Sequence, residues 1–505
     1  MEVFICLPLL LLPIILYLYF HSSPKRMSKT GFKIYPLVGT LPELLKNRHR
    51  FLDWVTETLA NCPTNTTIFA RSGTFHLVMT ANPSTVEHML KINFDNYPKA
   101  NFNKSSSLLD DFFGQGFFNS DGEIWRVQRK TASYEFNTKT WKNFVMENLV
   151  TEIEKRFVRA LEKASKSGQV VDLQDFLERF AFDNICKLVL NFDPGCLGEK
   201  LTATGDELMR VFDKATVLSS GRLLYIFPFL WKIKRFFNLG SERSLRESIA
   251  TVHGFVNASI RSKTNTIVET VGEEELLSRF IRKDIKNSFL RDSMISFILA
   301  GRDTTSSALT WFFWLVSSRP EIQQNILKEL ESIRVRNEKN IGDFYSYDEL
   351  REMHYLHAAI SETMRLYPPV PVNSRLCKND DVMPDGTFIG KGWTVHYNAY
   401  AMGRMESIWG KNCDEFQPER WLQDGMFRPE SPYRFPAFHA GPRMCLGKEM
   451  AYIQMKSIAA SLIERFEIKL EQKGTCPAQL LSLTLKMKDG LPVTVGVRKT
   501  KAPDR

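Results

Sequence analysis

The stretch FPAFHAGPRMCLGKEMA, Phe435 to Ala451, sets one cysteine, Cys445, among two glycines, an arginine and two aromatic residues, just before a stretch that reads as a helix. A buried lone cysteine usually serves as a small hydrophobe. Cys445 differs, because Gly441 and Gly447 let backbone approach, Arg443 brings a cation, and the following helix offers its N-terminal N–H groups. These neighbours favour a thiolate over a thiol.

A single thiolate cannot hold zinc, which wants four ligands, and the stretch offers no second cysteine and no histidine suited to completing such a site. It can supply the one axial protein ligand of a haem, whose equatorial ligands come from the macrocycle.

A second unusual stretch is NSFLRDSMISFILAGRDTTSSALTWFFWLVSSRP, Asn287 to Pro320, whose apolar run approaches transmembrane length. Arg302-Asp303 at its middle would be costly in lipid, so a long helix through the protein core is the expected structure. Its centre, Ala300 to Thr305, is poor for helix stability, with a glycine and two β-branched threonines. Thr304 can give its hydroxyl proton to the carbonyl of Ala300, which would open or bend the ladder. A polar notch in a buried helix is a functional candidate.

The chain has 505 residues, enough for a large core. No linker-like or repetitive segment divides it after residue 45, so a catalytic domain over 46–505 is expected behind an anchor at 1–21 and a basic, Pro/Gly-containing linker at 22–45. The leader Val3 to Phe20 would be about 27 Å long as a helix, enough for a thin bilayer such as the endoplasmic reticulum. A cleaved signal peptide would want a basic start and an A-x-A-like site, and neither is present. Lys25, Arg26, Lys29 and Lys33 follow the leader, which places the body of the protein in the cytosol.

The eight cysteines lack C-x-x-C pairs, which argues against a disulfide framework and for a reducing compartment. The sequons at Asn65 and Asn103 would then stay unmodified. A net charge of +10 comes without a nucleic-acid motif, which leaves a membrane surface and an acidic protein as partners.

Elsewhere, β-rich runs flanking Ser72-Gly73 read as a hairpin, and a helix starts at Pro83 with Asn82 as cap. From about Trp125 to Leu366 the pattern is helical, with periodic segments at 141–165, 172–191, 205–220, 243–263 and 288–317. Short strands return near 387–397 and 481–498, with a turn at Lys488-Asp489-Gly490. The fold class is mostly α with small β-sheets.

Phe438-x-x-Gly441-x-Arg443-x-Cys445-x-Gly447 resembles the haem-binding signature of the cytochrome P450 superfamily. Three further matches follow the expected order: Ala300 to Thr305 is similar to the oxygen-activating A-G-x-D-T-T, Glu362-x-x-Arg365 to the E-x-x-R, and Arg420 of FQPERW to the third member of the Glu-Arg-Arg cluster. Four signatures in order make chance agreement remote, although E-x-x-R alone is uninformative. The resemblance implies the P450 fold and haem b, with Cys445 as axial thiolate and metal ligand pushing electron density through iron toward O–O cleavage. It gives Gly441, Gly447 and Phe438 the surroundings of the sulfur. Arg443, Trp125 and Arg129 of WRVQR, and Arg375 bind the haem propionates. Asp303 and Thr304 deliver protons to bound dioxygen, and Glu362, Arg365 and Arg420 are structural.

The implied reaction is an NADPH- and dioxygen-dependent monooxygenation fed by NADPH–cytochrome P450 reductase. The alternative class is a haem-thiolate hydroperoxide isomerase or dehydratase; the intact Asp303-Thr304 pair favours the monooxygenase. SMISFILAGRDTTSSALTWFFWL, RLYPPVPVNSRL and FHAGPRMCLGKEMA resemble the plant fatty acid ω-hydroxylase clan. This implies hydroxylation at the terminal carbon of a fatty acid, possible further oxidation to aldehyde or acid, and as alternatives a terminal sterol side-chain carbon or a jasmonoyl-amino acid conjugate. Candidate lining residues by family position are Phe112, Phe113, Phe117, Phe297, Ala300, Val370, Val372 and Leu485. Leu223 to Gly240, aromatic and basic, is a candidate membrane-dipping flap.

Overall fold

The computed structural model describes residues 39–71, 75–99, 109–198, 203–222, 225, 228–266, 275–282, 287–472 and 474–498. The leader 1–21, most of the 22–45 linker, Asn103 and part of the candidate flap lie outside them. Among the described residues no helix is long and apolar enough to cross a membrane. The seven described cysteines are all free.

The described residues fall into two compact units. The first draws on 39–99, 372–414 and 432–443. Its centre is a four-stranded sheet begun by the expected hairpin, Thr66–Arg71 against Phe75–Thr80, with Thr66 opposite Thr80. The strand Thr394–Asn398 pairs in parallel with the second hairpin strand and antiparallel with Val372–Leu376. The helix Phe51–Ala60 buries Leu52, Val55 and Leu59, the 3–4 spacing of one helical face. Asn82 caps the helix that starts at Pro83, accepting from the backbone N–H of Ser84 at 3.0 Å.

The second unit holds most of the helices and comprises 109–371, 415–431 and 444–498 within the described ranges. Each periodic segment of the sequence forms a helix, including Leu173–Leu190, Ala203–Gly221 and Gly240–Thr266. The segment from Lys139 to Ser167 forms two α-helices joined by a π-helical turn at Ile153–Phe157. Asn287–Ser317 is the expected long core helix, about 46 Å at 1.5 Å per residue. It continues unbroken through Ala300 to Thr305, so the ladder does not open there. Thr304, Ser306 and Thr310 each donate to the carbonyl four residues back, at 2.6, 2.8 and 2.7 Å, which adds a bond to those carbonyls without displacing the helix.

Gly301 explains how the neighbouring helix comes so near. A Cβ built there would stand 2.4 Å from Ile185 Cδ1 of Leu173–Leu190. The C-terminal hairpin Gln479–Leu481 with Leu485–Met487 is fastened to the same core helix. Its Leu485 carbonyl accepts from Ser307 Oγ at 2.6 Å and Trp311 Nε1 at 3.2 Å, while Leu485 N donates to Pro369 O at 2.9 Å.

Candidate active site

In the second unit, Cys445 lies three residues before the helix Lys448–Arg465, whose N-cap is Gly447. Cys445 is exposed as a residue, yet enough protein surrounds its thiol for burial to be the main influence, pushing it upward. The Gly447 backbone N–H, Arg129 and Lys448 pull the other way. Burial lowers Arg129, and the cysteine holds it up in return, so the two groups feel one another directly. Trp125 and Arg129 are one turn apart on Gly122–Phe136 and share a face, with Trp125 buried and Arg129 half-buried.

The first unit holds the rest of the cysteine loop. Phe438 ends a 3₁₀ turn begun at Pro436, and His439 follows with φ +58°, its Nδ1 3.1 Å from Tyr397 Oη. Gly441 has φ +66°, and a Cβ there would fall 1.9 Å from the Leu90 carbonyl oxygen, so this backbone crossing excludes any side chain. Arg443 closes the turn Gly441–Arg443 and is buried. Arg375 is buried on Val372–Leu376 and donates to Ser374 O at 3.0 Å. Tyr397 and His439 escaped the sequence reading, since nothing local marks a tyrosine on one strand as the partner of a loop histidine.

Along the long helix, Phe297, Ala300, Gly301 and Thr304 are partly accessible while Ile298, Leu299, Arg302 and Asp303 are buried. Their 3–4 spacing makes one stripe, apolar except for the Thr304 hydroxyl. Phe297 packs at a tilt against Phe117 and Phe136 and edge-on against Phe280, with ring centroids at 4.7, 5.6 and 5.7 Å. Val370 and Val372 are half-buried in their respective units. Phe112, Phe113 and Leu485 are fully buried, the two phenylalanines packing at 4.8 Å inside a core cluster.

Asp303 points into a buried charged group instead of toward the stripe. Its Oδ1 is 3.5 Å from Arg302 Nη1, and neither carboxylate oxygen has a hydrogen-bond partner. Arg302 also reaches Glu178 at 3.6 Å and Asp213 at 3.5 Å, and both acids hold Lys486, at 3.1 and 2.8 Å. Glu178, Asp213 and Lys486 were not among the sequence candidates. Arg302 in the middle of an apolar run was the available signal, because a buried cation demands partners.

Glu362, Arg365 and Arg420 come together. Arg365 binds Glu362 at 2.8 and 2.7 Å and also donates to Glu415 O. Gln417 N and Trp421 Nε1 donate to the same carboxylate at 3.0 and 2.8 Å, with Arg420 Nε at 3.4 Å.

Among the described residues no group of three or more His, Cys, Asp or Glu could hold a metal ion. A metal held by a macrocycle and one thiolate suits the chain better, and Cys445 is exposed as a residue and has the backbone donor and the nearby cations for it. Cys377, by contrast, is buried, its thiol donates to Asn379 O at 2.9 Å, and burial pushes it up. The Cytochrome P450 family model matches residues 30–491. The chain belongs to the cytochrome P450 family. It is 50% identical to cytochrome P450 CYP94D108 of Paris polyphylla over 484 residues, 95% of this chain and 94% of that protein. It is 42% identical to cytochrome P450 94B1 of Arabidopsis thaliana over 519 residues, 99% of each, and 41% identical to cytochrome P450 94A1 of Vicia sativa over 478 residues, 92% and 90%. This P450 is therefore a haem-thiolate monooxygenase that takes electrons from a redox partner and acts on a lipophilic substrate. The haem, when bound, supplies dioxygen activation for insertion of one oxygen atom into a C–H bond.

Proposed function

We propose that this P450 hydroxylates the terminal carbon of a lipid chain, with a fatty acid as the first substrate, and can carry the product on to aldehyde or acid. The observation that carries this reading is the accessible stripe Phe297-Ala300-Gly301-Thr304, which offers apolar surface and a single hydroxyl, with Phe117 against Phe297 as an aromatic wall. A terminal methyl has stronger C–H bonds than the methylenes behind it. Its selection therefore depends on walls that admit only the chain end, so that positioning overrides intrinsic reactivity. A sterol side chain and a jasmonoyl conjugate also present such an end.

In this reading Cys445 is the axial ligand, and Gly441, Gly447 and Phe438 surround it. Arg443, Arg375, Arg129 and Trp125 hold the haem propionates. Thr304 orders a proton donor at the oxygen-binding position, and Asp303 relays protons to it. Glu362, Arg365 and Arg420 brace the fold. NADPH–cytochrome P450 reductase is the proposed electron donor, attracted by the chain's net positive charge.

Membrane attachment at the endoplasmic reticulum is supported by the helix Pro228–Phe236 and its exit. Leu230, Ile233, Phe236, Phe237 and Leu239 are exposed there beside Lys232, Lys234 and Arg235. An apolar face with a basic rim suits the boundary of a lipid bilayer.

The test is a substrate panel of fatty acids, jasmonoyl conjugates and sterols with reconstituted reductase and mass-resolved products. Terminal alcohol from a fatty acid is expected to dominate. Oxidation confined to internal carbons would sink the terminal assignment.

A further inference from the structure

The charged group behind the long helix reaches the protein surface. A cavity of about 390 Å³ is lined by Asp175, Glu178, Asp206, Asp213, Lys214 and Arg302, among others. Arg302 thus faces this cavity and also stands 3.5 Å from Asp303, which has no exposed surface. Four elements meet here: Glu178 comes from Leu173–Leu190, Asp213 from Ala203–Gly221, Lys486 from Leu485–Met487, and the Arg302-Asp303 pair from the long helix.

Two features set this group apart from a structural brace. The Glu362–Arg365 pair in the same unit is tied by direct bonds of 2.7 and 2.8 Å. Arg302 meets Glu178, Asp213 and Asp303 only at 3.5–3.6 Å, and its Nε and Nη1 make no hydrogen bond. Contacts of that length are looser than the direct bonds of the brace, and the guanidinium lies over the Phe182 and Phe212 rings at 5.6 and 5.9 Å. The second feature is competition: two of the three carboxylates that Arg302 meets, Glu178 and Asp213, also share the single cation Lys486, at 3.1 and 2.8 Å. Burial raises Glu178 despite Lys486 and Arg302, with Asp303 and Asp213 adding to the rise. Asp213 is partly exposed, and Lys486 and Arg302 prevail over desolvation and keep it low.

We propose that Glu178 is the carboxyl through which protons from this cavity reach Asp303, with Arg302 in contact with both acids and Asp213 anchoring Arg302 and Lys486 beside them. The step moves one proton and no electrons: Glu178 carboxylic acid gives its proton to Asp303 carboxylate, and the Glu178 carboxylate regains one from water in the cavity. Glu178 is a relay residue and touches neither substrate nor cofactor. The inference rests on the proton-delivery role assigned to Asp303 above.

The test compares Glu178→Gln with the wild-type holoenzyme and reductase, using the lipid turned over fastest and summing products at all positions, so that a wrong terminal assignment leaves it readable. The variant is expected to keep the reduced carbon monoxide spectrum and lose product per NADPH to peroxide. The loss should be on the order of ten-fold, below the range of a direct general acid, with an enlarged solvent deuterium isotope effect. Difference infrared spectroscopy, which needs no turnover, should lose one protonated-carboxyl band. Glu178→Asp should restore most of the coupling. Should Glu178→Gln fail to fold, Asp213→Asn, which releases Lys486, should move coupling and isotope effect in the same direction. Wild-type coupling, or reduced coupling with an unchanged isotope effect and the infrared band intact, overturns the relay and leaves an ordinary ion-pair network.

Discussion

Arg365 grips Glu362 through two charge-assisted hydrogen bonds, one turn apart on His354–Leu366, with both side chains fully buried. Neither charge could remain there alone. Glu362→Gln keeps the shape and removes the charge, leaving Arg365 uncompensated in the interior. The expected destabilisation is about 3–5 kcal/mol, read from denaturant midpoints by circular dichroism and haem release. A midpoint within experimental error of wild type would refute the bracing role.

Thr304→Ala removes the one hydroxyl of the accessible stripe along with its bond to Ala300 O. The helix should persist, because alanine is the better helix former. NADPH oxidation should continue while product falls on the order of 10²-fold and peroxide accumulates. Full coupling in this variant would mean that proton delivery bypasses Thr304.

Gly441 admits no side chain. Gly441→Ala combines a left-handed backbone, which costs roughly 1–3 kcal/mol for a non-glycine residue, with a Cβ placed 1.9 Å from Leu90 O. Holoprotein recovered per cell should fall to a small fraction of wild type, scored by the reduced carbon monoxide difference spectrum. Normal yield would show that the backbone crossing can relax.

Lys456 gives a pH signature. It is buried on Lys448–Arg465 and donates to the carbonyl of Leu350. Burial brings its ammonium down from 10.5 to about 8, against the pull of Glu329 and with a small push from Arg351. Between pH 8 and 10.5 the unfolded chain binds more protons than the folded one, so stability rises with pH across that window. Below it the buried charge costs about 3 kcal/mol. Lys456→Met should abolish the rise, measured as urea midpoints at either end of the window. The same rise in the variant would place its origin elsewhere.

The sequence marked the chemistry better than its surroundings. Cys445 and Glu362-x-x-Arg365 sit in short motifs whose spacing fixes which residues meet, and the helical periodicities translated directly into helices. The reach of Asp303 was illegible for a physical reason: its group joins four elements distant in sequence, and only packing brings Glu178, Asp213 and Lys486 to one arginine. Phe112 and Phe113 show the opposite difficulty. An aromatic pair reads alike whether it lines a channel or fills a core, and these two are fully buried.

Gly301 and Ile185 share a volume that only one of them can occupy. Two helices have in effect traded a methyl group: the isoleucine spends it and the glycine forgoes it. The depth of the stripe beside Ala300 and Thr304 is therefore adjustable through a side chain on another helix, Ile185. Gly301→Ala alone should shove the long helix outward, and adding Ile185→Val removes the Cδ1 at 2.4 Å but keeps the γ-carbon at 2.7 Å, so it relieves part of the clash. A redesign of chain-length preference in this P450 has a handle at position 185 that inspection of the stripe alone would miss.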